Sequence, residues 1–92
     1  MHTDEYEISL NREINHCRAV VKAISKILER QVRHYGLEYA QVVQAKAEGR
    51  LAVPDDELAE WRENIEALPV WEQRLQEYRE ALAIMRVSAS RF

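Results

Sequence analysis

Apolar residues recur at spacings of three, four or seven along the first half of the chain: Leu10, Ile14, Cys17, Val21, Ile24, Leu28, Tyr35, Tyr39 and Val42. At 3.6 residues per turn such positions fall on one face of an α-helix, so the pattern predicts a first helix over about 4–48. A second stripe, Leu58, Trp61, Ile65, Leu68, Trp71, Leu75, Tyr78, Leu82 and Met85, predicts helix over about 55–68 and 69–88. Asp4 with Glu7 three residues on forms a capping-box start for the first helix. Gly49 supplies a left-handed stop with Lys46 on the last turn, and the connection spans about 49–54. Asp55 or Asp56 caps the second helix, whose first turn also holds Glu57.

The fold class that follows is all-α: a long antiparallel helical hairpin forming one domain over 1–92. Pro69 lies inside the second stripe, where it removes a backbone donor and crowds the preceding turn, so a kink or break is expected there. The stripe also rotates by roughly 80° across that point. Folding the chain about residue 52 sets Gly36 level with Pro69, which suggests either a shared bend or a glycine that makes room for Trp61 or Trp71.

Such a hairpin carries more apolar surface than one seam can bury. Ala19, Val20, Ala23 and Ile27 widen the first stripe, and Val70, Ala81 and Ile84 the second. A first helix of about 44 residues would be roughly 66 Å long, whereas a compact globule of this length has a radius of gyration near 12 Å, roughly. The expectation is a homodimer or larger even oligomer that closes a four-helix bundle, with Val20, Ala23, Ile27, Val70, Ala81 and Ile84 as candidate interface.

Charge adds an orientation. Between Arg12 and His34 six basic residues (Arg12, Arg18, Lys22, Lys26, Arg30, Arg33) face two acidic ones, and between Pro54 and Glu80 nine acidic residues face three basic ones. An antiparallel dimer would bring opposite signs together. The row Arg18, Lys22, Lys26, Arg30 and Arg33 suits a solvated face with ion pairs, an acidic protein partner or a nucleic-acid backbone. A net charge of −3, a pI near 5.6 and the lack of a reading motif argue against nucleic acid.

With 47% hydrophobic and 32% charged residues the chain is expected to fold, and no run approaches the roughly 18 apolar residues of a membrane span. The acidic first residues are unlike a secretory signal, which points to the cytoplasm and to no membrane association. Cys17, the one cysteine, fits a small buried hydrophobe. Glu13 and His16 make a single Glu-x-x-His, and Gln31 with His34 only imitates the second pair that a carboxylate-bridged metal bundle needs, so neither metal nor other cofactor is expected.

Two functional readings remain open. The first is a non-enzymatic protein-interaction module, an adaptor, small chaperone or assembly subunit working as a helical homodimer. The alternative is a small-molecule or enzyme site inside the bundle, formed by His34, Tyr35, Tyr39, Trp61 and Trp71. Residues Leu10-Asn11-Arg12-Glu13-Ile14-Asn15 and Ile27-Leu28-Glu29-Arg30 give that alternative a family, since they and the long first helix resemble the all-α chorismate mutases. The resemblance covers about a quarter of the chain, carries no catalytic residue over, and implies a site where cations converge on a dicarboxylate.

Overall fold

In the computed structural model of the chain the described residues are 2–90, with side chains described for 5–88. They form three helices, α1 (His2–Tyr35), α2 (Tyr39–Ala47) and α3 (Asp55–Ser90), and α1 packs on α3 as a hairpin. No described helix is long and apolar enough to cross a membrane.

The single helix expected over 4–48 is two helices. Gly36 adopts φ +66°, and its N–H donates to the Val32 carbonyl at 2.7 Å, the five-to-one bond that closes a helix with a left-handed residue. Three residues later α2 begins, and the Gln41 side chain reaches back to accept the Glu38 N–H at 3.0 Å. Two of α2's nine residues, Val42 and Ala45, are buried, which gives the short helix a reason to fold where its own propensity would not suffice. Gly36 is therefore neither a bend matched to Pro69 nor a gap for a tryptophan: nothing lies within 4 Å of where its Cβ would stand.

Gly49 does what its sequence context predicts. With φ +75° it donates to the Lys46 carbonyl at 3.0 Å while Arg50 donates to Ala45 at 2.8 Å, the paired bonds of a Schellman motif. The connection that follows is tied down by Lys46, whose ammonium group meets both the Val53 carbonyl and the Asp55 carboxylate. Asp55 is already the first helical residue, and the Pro54 carbonyl accepts the Leu58 N–H at 3.2 Å. At the other end α1 begins at His2, ahead of the expected Asp4 cap, whose side chain lies outside the described ones. Glu7 pairs with Arg86 at 3.3 Å.

α3 runs through Pro69 without interruption, so the expected segments 55–68 and 69–88 are one helix. The missing N–H leaves the Ile65 carbonyl without its usual partner. Ile65 and Pro69 are both exposed, so water can take that bond.

The chain divides into two compact units. The first joins residues 1–22 and 69–92, and its core is Leu10, Ile14 and Cys17 of α1 against Leu75 and Leu82 of α3, with Trp71, Tyr78, Ala81 and Met85 packed on it. The second is residues 23–68, centred on Val42, Val53 and Trp61, with Leu28, Val32, Tyr35, Leu37, Tyr39, Leu51 and Leu58 around them. Cys17 is buried among apolar neighbours, as its setting in the stripe implies.

The sign of one substitution checks the helix stop at Gly36. Gly36→Ala should destabilise the protein by about 1 kcal/mol in denaturant unfolding, because an L-residue pays for the left-handed conformation even in open space. A glycine in a helix interior would show the opposite sign, a gain of about 1 kcal/mol.

Candidate functional site

The aromatic level proposed as a pocket lies in the second unit and is filled by its own side chains. Trp61, from the second turn of α3, is 1% exposed. Tyr35, at the end of α1, stacks on it at 5.7 Å with planes 16° apart, and Tyr39, at the start of α2, meets it edge-on at 5.5 Å. His34 completes the group with an edge contact of 4.7 Å to Tyr35. Four of the five candidate residues are thus neighbours. Trp71 is not one of them: it belongs to the first unit, where His16 meets it edge-on at 5.5 Å and the Arg74 guanidinium sits 4.7 Å from its ring centre.

Among the described residues, the one side-chain hydrogen bond of this cluster runs to α3. The Tyr35 hydroxyl donates to the Glu57 carboxylate, and that bond, reinforced by burial and by the carboxylate's charge, pushes the Tyr35 pKa up to about 12. A phenol held this way is a structural donor at neutral pH and a poor proton shuttle. Asp55 moves the other way, its carboxyl held below the ordinary value by the hydrogen bond and charge of Lys46.

Three grooves lie elsewhere. One of about 430 Å³ in the second unit is lined by Leu28, Glu29, Val32, Arg33 and Glu38, and an open one of about 730 Å³ runs over the connection along Lys46, Gly49, Leu51, Ala52, Val53 and Pro54. In the first unit Ala83, Ile84, Val87 and Ser88 line a groove of about 360 Å³. None of these three includes a residue of the aromatic cluster.

The candidate interface residues differ in exposure. In the first unit Ile84 is 68% and Val70 49% exposed, whereas Val20 and Ala81 are half-buried. In the second Ala23 is exposed and Ile27 half-buried. The helical pattern missed Ile8, which stands outside both stripes and is about as exposed as Val70. Its position two residues before Leu10 puts it on the opposite helix face, a phase that the sequence alone gives.

Arg12, Arg18 and Lys22 belong to the first unit, and Lys26, Arg30 and Arg33 to the second. All six are exposed, and among the described residues none makes an ion pair. The cations that do are Lys46, Arg50, Arg62 and Arg86. Glu13 and His16 are both exposed, and among the described residues no three His, Cys, Asp or Glu side chains group as a metal site. Arg12 and Arg30, which carry the likeness to the chorismate mutases, stand in solvent, where a dicarboxylate would gain little from them.

No protein-family model, no curated protein and no solved structure matches this chain.

Ultraviolet titration tests the Tyr35 environment. One of the four tyrosines should ionise near pH 12, and Glu57→Ala should return it toward the ordinary value of 10. The folded-state pKa is raised, so the contact's contribution to stability is full below about pH 10 and is lost as pH rises toward about 12. Tyr35 ionising at the ordinary value of 10 would show that the bond is absent in solution.

Proposed function

We propose that the chain is a non-enzymatic protein-interaction module that works as a helical homodimer, two hairpins closing a four-helix bundle, in the role of an adaptor, small chaperone or assembly subunit. The observation that carries this reading is the apolar surface left on the hairpin, above all Ile84, 68% exposed, and Val70, 49% exposed. Each is a large aliphatic side chain on the flank of a helix whose core face is already used, and Ile84 lines one groove with Val87, itself 55% exposed, the kind of apolar surface that an interface covers. A two-fold dimer is the simplest assembly in which one such face covers its own copy.

The packing of the aromatic cluster supports the same choice over a ligand site. Binding pockets are concave and offer polar groups converging on a void, whereas Tyr35, Tyr39 and Trp61 are in ring contact and leave the tryptophan buried. The Tyr35 hydroxyl is engaged by Glu57. Cytoplasmic residence follows from the sequence expectation and belongs to this proposal.

Sedimentation equilibrium at micromolar concentration should give a dimer, or a larger even oligomer. Ile84→Asp and Val70→Asp should each weaken it at least about tenfold, since a buried unpaired charge costs more than 1.4 kcal/mol, with helix content by circular dichroism unchanged. A wild-type chain that stays monomeric would contradict the reading.

A further inference from the structure

In the first unit the outward side of α3 carries a stripe of its own. Val70, Gln73, Glu77, Glu80 and Ile84 recur at intervals of three and four, and all five side chains are exposed. At 100° per residue they fall within an arc of about 80°, centred roughly 140° from the direction of Trp71, Leu75, Tyr78, Leu82 and Met85, the residues that α3 gives to the core. Val70 and Ile84 stand at the two ends, fourteen positions apart, a rise of about 21 Å. Glu77 lies midway, seven positions from each. The stripe therefore has an aliphatic residue at either end and polar ones between, and its two apolar spots are too far apart to cover each other within one chain.

We propose that this stripe is the seam on which a second copy of the chain docks, antiparallel, with the two-fold axis at the level of Glu77. The seam rests on the homodimer proposed above and supplies its register. A two-fold interface uses one patch twice, and this patch lies on a single face of a single helix. Rotation about that axis sets Val70 level with the partner's Ile84 and Ile84 level with the partner's Val70, so each apolar spot covers the other. It also keeps every residue on its own side of the seam. Val70 leans to one side and both Gln73 and Glu80 to the other, with Ile84 between, so the phases of the contacting residues agree. Glu80 comes within one residue, about 1.5 Å of rise, of the level of the partner's Gln73. The Gln73 amide donates one N–H to Glu77 of its own chain at 3.2 Å and has a second for the partner's Glu80. Charge selects this orientation over the parallel one. In a parallel pair each stripe residue faces its own copy, so Glu77 meets Glu77 and Glu80 meets Glu80. The antiparallel pair leaves only the two Glu77 carboxylates together, and Glu77 is the residue that opposes association.

Thiol cross-linking of the full chain tests the register. Val70→Cys and Ile84→Cys change exposed positions, so helix content by circular dichroism should stay that of wild type, and the native Cys17, 1% exposed, is out of reach. Under mild oxidation a mixture of the two single variants should form a disulfide joining one chain of each kind, identified by its mass. Each variant alone should form at least about tenfold less, because its two thiols stand about 21 Å apart and a disulfide needs Cα atoms within about 7 Å. Glu77→Gln should tighten the dimer about tenfold in sedimentation at about 50 mM salt, and by less at about 500 mM. Links that form within each single variant as readily as in the mixture overturn the antiparallel register and leave the dimer standing. A wild type that dimerises while no variant cross-links overturns the stripe as the seam, and a Glu77→Gln dimer no tighter than wild type overturns the place of the axis. A monomeric wild type overturns the homodimer together with its register.

Discussion

One left-handed residue holds the second unit together. Gly36, at φ +66°, ends α1 after Tyr35 and frees the next residues to start α2 three positions later. Because of that turn Tyr35 and Tyr39 lie on different helices and can meet Trp61 in two ways, one stacked and one edge-on. Val42, 0% exposed, then fills the centre with Val53 from the connection. A buried tryptophan takes about 150–250 Å² out of water, so the closure of its site outweighs the roughly 1 kcal/mol cost of a glycine. The second clasp is Lys46, which draws the Val53 carbonyl and the Asp55 carboxylate to the end of α2 and sets where α3 begins.

Most of the architecture is legible in the chain, and the break at Gly36 shows what periodicity hides. Tyr35, Tyr39 and Val42 keep spacings of four and three across the break, so the stripe looks continuous although the helix is not. The stop is nonetheless written locally: Arg33 and His34 on a last turn, Gly36 after it, then Glu38 and Gln41 at capping-box spacing. Gly49 has the same local signals but also ends the stripe, which is why it reads correctly. Pro69 is the converse case. Its signal for a break is strong, yet a helix of 36 residues absorbs one lost bond where the orphaned carbonyl faces water.

The aromatic cluster was legible for the same reason it is compact, since His34, Tyr35 and Tyr39 are near neighbours in sequence. Trp71 falls at that level only for a first helix of uniform rise, and the turn at Gly36 to Glu38 breaks that rise. Periodicity does not rank the apolar flanks: Ile84 is 68% exposed, whereas Ala81, three residues before it, is half-buried and packs on the core of the first unit. Which charges pair within the chain was not legible either, because it depends on tertiary neighbours. Glu7 shows this, drawn to Arg86 near the other end of the sequence.

The proposed dimer places Ile84 and Val70 against another copy, and isotope-filtered nuclear Overhauser spectroscopy observes that contact directly. A sample mixing carbon-13-labelled and unlabelled chains should show cross-peaks between the Ile84 and Val70 methyl groups of labelled protomers and protons of unlabelled ones. A folded chain at the same concentration with no intermolecular cross-peak to either methyl group would contradict the interface, whatever its sedimentation behaviour.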